Sequence, residues 1–258
     1  VTVARMLPRT NRADIPERVS VIVPARNEAG NIRPLLERVP PLGRETEVIF
    51  VEGNSTDDTW DVIQKTVADY QAGGGPYRVS CCRQSGKGKG DAVRLGFARA
   101  TGEILMILDA DLSVPPEELP RFVHLLARHQ CEFANGSRLV YPMEKEAMRF
   151  LNMIANKLFG WMFTFLLGQR LRDTLCGTKV LRKADYEKIA SNRAYFGDFD
   201  PFGDFDLLFG AARLNLKITD VPVHYKQRTY GSTNISRFRH GLLLLRMCAF
   251  AARKIKFI

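Results

Sequence analysis

Two carboxylates one residue apart, Asp109 and Asp111, close an apolar run that starts at Ile104. A buried strand ending this way can hold a hard divalent cation, because magnesium-like ions take one or two carboxylates and complete their shell with substrate phosphates. In open parallel α/β sheets, ligands gather at the carboxyl ends of the strands. The same pair can instead cap the helix announced by Pro115-Pro116-Glu117-Glu118, and the tripeptide alone leaves both readings open. Gly86-Lys87-Gly88-Lys89-Gly90 offers glycine-flanked amides at a helix start, where a phosphate can approach closely. It lacks the Walker A spacing, and a flexible lysine-rich surface loop is the plain alternative. Farther along stand Arg138 behind Gly136-Ser137, Asp204 and Asp206 among aromatics, and Arg228 in a polar loop with Ser232. Arginine suits bidentate phosphate contacts. The two aspartates suit a sugar contact, a general base or a helix cap.

These groups need a scaffold that brings them together. Val19 to Ala25, Glu47 to Val51, Tyr77 to Cys82 and Ile104 to Leu108 are short β-branched or apolar runs, the pattern of buried strands. Helical spacing separates them: a helix starting near Asn31, Trp60-Ile63-Val67-Tyr70, and a face of Ala92, Val93, Gly96, Phe97 and Ala100. Strict alternation of strand and helix predicts an α/β fold with a parallel sheet and helices on both faces. Each loop at the ligand edge is then polar or charged: Arg26 to Glu28, Glu52 to Asp57, and Asp109 to Ser113. Three such loops on one edge argue for a site. A helix over Glu118 to His129, a strand over Cys131 to Gly136, a return to the sheet within Asp173 to Leu181, a short helix over Lys183 to Ser191 and a strand over Lys217 to Val223 complete the expected order.

The chain has 258 residues and a net charge of +10, enough for one large domain and suggestive of an anionic partner. Few aromatics alternate with the basic residues and no nucleic-acid motif is present, so nucleic acid is not expected. Five cysteines, without metal-ligand or redox spacing, read as ordinary thiols of a reducing compartment. No apolar run reaches the roughly 20 residues that a membrane span requires. Met148 to Leu167 is aromatic-rich and nearly uncharged, so it is either buried or lodged among lipid headgroups. Leu242 to Ile258 is apolar with a basic end, the composition of an interfacial helix. The expected organisation is a lead over residues 1–17, a catalytic domain over 18–235 with an amphipathic insertion near 147–168, and a basic helix over 236–258. A start at Val1 rather than Met suggests a processed chain or a segment of a longer one, with a further domain preceding it.

Val23-Pro24-Ala25-Arg26-Asn27-Glu28, the acidic loop after Glu52, Lys87-Gly88-Lys89-Gly90, Asp109-Ala110-Asp111, Gly136-Ser137-Arg138, Asp173 to Thr178 and Arg228 to Asn234 occur in this order. Together they resemble the inverting glycosyltransferases of family 2, and within it the polyprenyl-phosphate sugar transferases such as dolichyl-phosphate mannose and glucose synthases. The resemblance implies a glycosyltransferase A-type, mostly parallel sheet and transfer of a hexosyl group from a nucleotide sugar of UDP-glucose or GDP-mannose type to a polyprenyl phosphate. A divalent metal, Mg2+ or Mn2+, would sit on Asp109 and Asp111. Pro24, Arg26, Glu28 and Glu52 would border the nucleoside, and Lys87 the base or phosphates. Arg138, helped by Arg149, would meet the acceptor phosphate. Arg228, with Ser232 beside it, would neutralise the leaving diphosphate or the acceptor phosphate. Transfer to a soluble or glycan hydroxyl, with Asp206 or Asp204 as base, is the alternative, and a non-catalytic nucleotide-binding module a remote one. The implied location is cytoplasmic, peripheral on an anionic inner membrane face. Two positions depart from the pattern: Glu52-Gly53 stands where many relatives have paired aspartates, and Ser113 where the mannose synthases often carry glutamine.

Overall fold

In the computed structural model, the described residues are 15–141, 150–193, 203–228, 230–231, 245–246, 248–249 and 252–253. Arg149 and Ser232 lie outside them, as does most of the expected C-terminal helix. The side chain of Asp204 is outside them as well, although its backbone opens a helix.

Seven strands form one sheet: β1 (Arg18–Ala25), β2 (Glu45–Glu52), β3 (Arg78–Arg83), β4 (Ile104–Ile107), β5 (Phe133–Ser137), β6 (Lys179–Arg182) and β7 (Ile218–Pro222). Their spatial order is β3-β2-β1-β4-β6-β5-β7. β1 pairs in parallel with β2 and β4, β2 with β3, and β5 with β7. The sheet is mostly parallel, with one strand reversed. β6 runs antiparallel to both β4 and β5, because the chain returns through α5 (Phe150–Leu167) and the loop at Asp173 to the edge at which β5 ends, where Asp173 meets Arg138.

Strand geometry sorts the side chains. Along β1, Val19, Val21 and Val23 point to one face and Ile22 to the other, as the two-residue period of a strand requires. The first face is covered by α1 (Ile32–Arg38), α2 (Thr59–Ala72) and α4 (Leu119–Ala127), which bury Leu35, Ile63 and Phe122. The second is covered by α3 (Lys89–Arg99), α5 (Phe150–Leu167), α6 (Lys183–Ser191) and α7 (Asp204–Arg213), through Phe97, Phe163, Ile189, Phe205 and Phe209. Phe163 stacks on Phe209 at 5.3 Å, an aromatic contact worth about 0.5–1.5 kcal/mol beyond burial.

The apolar segment read from the sequence becomes α5, and it is two-faced. Phe159, Phe163 and Leu166 are buried, whereas Leu158, Trp161 and Phe165 are exposed at 52%, 71% and 60%. These spacings of three and four residues place the exposed side chains on one stripe. Among the described residues, no helix is long and apolar enough to cross a membrane.

One contact between helix ends matters for the site. Gly203, at φ +73°, precedes α7, and a Cβ there would lie 2.7 Å from Gly90 Cα in the first turn of α3. The backbone must therefore be left-handed and bare at this point. Gly203→Ala is expected to cost about 1–3 kcal/mol and to lower Tm by several degrees in thermal unfolding, while Gly168→Ala, left-handed with no neighbour within 4 Å of its Cβ position, should cost less; equal Tm values for the two would contradict the close approach.

Candidate active site

Four loops meet at the carboxyl edge of β1, β2 and β4. Three of them contain a non-glycine residue at positive φ: Asn27 after β1 (57°), Asn54 after β2 (57°) and Leu112 after β4 (58°). Asparagine tolerates this region, but leucine does so at a cost, and such strain persists only where the surroundings enforce it. The first two loops are laced together. Ser55 Oγ accepts from the Asn27 N–H at 3.1 Å, and Asn27 Oδ1 accepts from the Thr56 N–H at 2.8 Å. Glu52 is buried, and its Oε1 accepts from the Ser55 N–H at 2.5 Å while its Oε2 lies 3.4 Å from Arg83 Nε. The Arg83 guanidinium lies over the Trp60 ring at 4.5 Å. Pro24 is half-buried beside this loop pair, and Arg26 is exposed above it.

Asp109 and Asp111 each hold a cation. Lys89 Nζ lies 2.6 Å from Asp109 Oδ1, and Arg228 Nη2 lies 2.6 Å from Asp111 Oδ2. Arg228 also reaches back to Glu28, with Nη1 3.0 Å from Oε1. One guanidinium thus joins the loop after β1 to the loop after β4. The other oxygen of Asp111 accepts from the Ser113 N–H at 2.9 Å, an Asx turn that fixes the carboxylate. The polar segment after β7 is held down at both ends, by the Lys226 N–H on the Ser113 carbonyl at 2.9 Å and by the Tyr230 ring against Gly30. A Cβ at Gly177 would overlap both the Asp109 carboxylate and the Lys89 ammonium, so this position must lack a side chain for the pair to form.

Electrostatics follow from this arrangement. Burial works against the charge of Asp109, but Lys89 more than offsets it, with Lys179 and Arg228 adding to the effect, and its pKa falls below the usual carboxylate value. Burial dominates at Glu28, where Arg228 and the Asn31 amide only partly compensate, and Asp111 and Asp109 push the same way as burial; its pKa rises to about 7.

Arg138 sits on the far side of β4. Its Nε and Nη2 grip the two oxygens of Asp173 at 2.7 and 2.8 Å, and its backbone N–H adds a third bond at 3.0 Å. Asp173 is fully buried. Burial alone would raise its pKa, but Arg138 drives it down, and the aspartate in turn keeps Arg138 charged despite burial. The Tyr225 ring lies 5.1 Å from the guanidinium carbon, which ties Arg138 to the segment that carries Arg228.

The residues expected from the sequence are therefore sorted unevenly. Glu28, Asp109, Asp111 and Arg228 converge, and Glu52 lies on the adjoining loop. Lys87 is exposed, and it is Lys89, two residues on, that reaches the aspartate; the helix begins at Lys89 and turns that side chain inward. Asp206 is in an ion pair with Arg193, Nε to Oδ2 at 2.7 Å, and only 8% of its side chain is exposed, which limits its access to a substrate proton. Lys89 lies within the Lys87-Gly88-Lys89-Gly90 motif and Asp173 and Gly177 within the Asp173 to Thr178 stretch, but residue type and spacing assign none of them, nor Tyr225, an individual role.

Among the described residues no group of three His, Cys, Asp or Glu could by itself hold a metal. The donor set still fits a hard divalent ion, which takes one or two carboxylates and draws its remaining oxygens from substrate phosphates and water. Asp109 and Asp111 supply the two carboxylates.

The sequence matches the family model for glycosyl transferase family 2 over residues 20–190, more than half of the chain. The dolichol-phosphate mannosyltransferase of Pyrococcus furiosus is 30% identical over 179 residues, covering 68% of this chain and 49% of that protein. The undecaprenyl-phosphate 4-deoxy-4-formamido-L-arabinose transferase of Yersinia pestis is 23% identical over 231 residues, covering 86% and 64%. The chain thus spans about half to just under two thirds of the length of these relatives. Solved structures of glucosyl-3-phosphoglycerate synthase from Mycobacterium tuberculosis share the fold: the complex with Mn2+, UDP and glucosyl-3-phosphoglycerate superposes with a TM-score of 0.61 at 20% identity, covering 92% of this chain and 80% of that one.

The raised pKa of Glu28 has a measurable consequence. Because the folded state holds this proton more tightly than the unfolded chain, the stability it contributes is fully present below the ordinary glutamate value of 4.5 and is lost as pH rises through about 7. Denaturant unfolding of wild type and Glu28→Gln should therefore diverge between pH 4.5 and pH 8 by about 3 kcal/mol in favour of the variant, and parallel pH profiles would show that Glu28 is not held protonated.

Proposed function

We propose that this chain, which belongs to glycosyl transferase family 2, transfers a hexosyl group from a nucleoside diphosphate sugar to a polyprenyl phosphate, with inversion at the anomeric carbon. The observation that carries the reading is the convergence of Asp109, Asp111, Lys89 and Arg228 at one sheet edge, with a second arginine, Arg138, paired to buried Asp173 and in contact with Tyr225 on the segment that carries Arg228. The relatives named above, a dolichol-phosphate and an undecaprenyl-phosphate transferase, support the acceptor class.

In this reading the nucleoside lies against the loops of Pro24 to Glu28 and Glu52 to Ser55, with the diphosphate toward Asp109 and Asp111. Those two carboxylates would hold a divalent ion, Mg2+ or Mn2+, which as a Lewis acid stabilises the leaving diphosphate when bound. Lys89 and Arg228 compensate the same carboxylates in its absence. With donor present they are placed to turn their charge onto the phosphates. A polyprenyl phosphate is already anionic near neutral pH, so the nucleophile must be positioned rather than deprotonated. Arg138, Arg149 and Arg228 serve that task, with Ser232 close in sequence to the last.

Asp206 enters only if the acceptor is a hydroxyl, and its pairing with Arg193 weighs toward the phosphate. The exposed stripe of Leu158, Trp161 and Phe165 suits contact with a lipid surface. Arg246 and Arg253, both exposed, would add attraction to anionic lipid of about 1 kcal/mol per charge. That contact supports a peripheral position on a membrane, and a cytoplasmic face is part of the same reading.

The test is transfer itself. Labelled UDP-glucose, GDP-mannose and UDP-N-acetylglucosamine are each incubated with the protein, Mn2+ or Mg2+ and a polyprenyl phosphate, and the label is followed into the organic phase. One donor is expected to label the lipid, Asp109→Ala to lower that rate at least 100-fold, and Asp206→Asn to leave it within a few-fold of wild type. Label that stays in water for every donor, or appears on a soluble acceptor only and vanishes in Asp206→Asn, would overturn the lipid-phosphate reading.

A further inference from the structure

Asp173 is saturated in a way that a simple ion pair does not require. Oδ2 accepts from the Arg138 backbone N–H and from Nε. Oδ1 accepts from Arg138 Nη2 at 2.8 Å, from the Leu175 N–H at 3.0 Å and from Asn156 Nδ2 at 3.0 Å. Its own carbonyl accepts from Asn135 Nδ2 at 2.8 Å, and the same amide nitrogen donates to Asp220 Oδ1 at 2.8 Å. Buried carboxylates with this many donors are fixed in direction as well as in charge. The grip uses the Nε and Nη2 edge of Arg138, so the remaining N–H donors, on Nη1 and the second of Nη2, face away from Asp173.

The donor from α5 is the unexpected member. Asn156 is 1% exposed on a helix of mostly apolar character. A buried amide in such a helix is costly unless its hydrogen bonds are made, and leucine would fill the same place at no polar cost. Its Oδ1 has no hydrogen-bond partner among the described residues, so the bond to Asp173 is the interaction in view that offsets the amide's burial. Asn156 lies five and nine residues before Trp161 and Phe165 on the exposed stripe, one and a half to two and a half turns away.

We infer that Asn156 and Asp173 are positioning residues for the acceptor: Asn156 orients the Asp173 carboxylate, which aims the outer edge of the Arg138 guanidinium at the phosphate of the incoming prenyl phosphate. The inference rests on the reading that Arg138 meets that phosphate. It adds that the aim is set from α5, the helix whose other face is exposed and apolar. Seating of α5 and reading of the acceptor are thereby joined through one side chain.

Steady-state kinetics with a short-chain, water-soluble prenyl phosphate tests this without a bilayer. Asn156→Leu should raise the KM for the prenyl phosphate about tenfold, leave the KM for the nucleotide sugar unchanged and keep kcat within a few-fold. Asn156→Asp, which sets a second carboxylate against Asp173, should raise it further. Arg138→Lys is the control for the underlying reading and should raise the same KM. Combined with Asn156→Leu, it should add little more, since both act on one contact. If Arg138→Lys raises the KM but Asn156→Leu does not, or shifts both KM values alike, the positioning role is overturned while the acceptor reading stands. If Arg138→Lys leaves the KM unchanged, both fall. Asp173→Asn should behave as Arg138→Lys where it folds; the Asn156 variants decide the matter where it does not.

Discussion

Negative charge buried at one edge of a sheet must be met by positive charge, and this demand organises the molecule. A carboxylate removed from water without a partner costs several kcal/mol, and removing one member of a buried pair costs about 3–5 kcal/mol. Asp109, Asp111 and Asp173 are each answered by a cation from a separate stretch of chain: Lys89 for the first, Arg228 for the second, Arg138 for the third; at Glu28 burial outweighs the nearby Arg228 and the carboxyl is neutralised by its proton instead. The sheet supplies the carboxylates at the ends of β1 and β4 and in the loop before β6. Loops and helix starts supply the cations. Because each pair spans tens of positions in sequence, the pairs also hold loops that have little apolar area to bury.

The same demand explains how the site can act. Under the proposed function, a carboxylate pair already answered by cations would take a divalent metal and its diphosphate in place of side chains, and arginine and lysine released from carboxylates are suited to phosphates. Donor binding would then exchange partners within a site that stays balanced in charge. On the other side of β4 the Arg138–Asp173 pair is locked by five hydrogen bonds to the carboxylate, so there the cation is held still. In the proposed reading one half of the site would trade its ion pairs, while the other presents a fixed guanidinium.

Local pattern revealed a good part of this. The β-branched runs at Val19 and Val48, the apolar run before Asp109 and the helical spacing around Trp60 and Ala92 each report burial within a few residues, and the structure contains those elements. The loops that would bear ligands followed, since the carboxyl ends of successive parallel strands share one edge. What stayed hidden was long-range. Whether Lys87 or Lys89 turns inward depends on the residue at which α3 starts. The reversal of β6 depends on how α5 packs. Asp173 finds Arg138 across 35 positions only once β5 and β6 are neighbours, and Asp206 finds Arg193 through the packing of α6 against α7. The two faces of α5 could not be told apart by composition, because the buried Phe159 and Phe163 and the exposed Trp161 and Phe165 are alike in chemistry.

Calorimetric titration of a nucleoside diphosphate, with and without Mn2+, measures directly the proposed exchange of partners at Asp109 and Asp111. Wild type should bind the diphosphate at least tenfold more tightly with Mn2+ than without, and Asp109→Asn should lose that enhancement while still binding the nucleotide weakly. An Asp109→Asn protein with the full Mn2+ enhancement would contradict the assignment of these carboxylates to the metal and diphosphate.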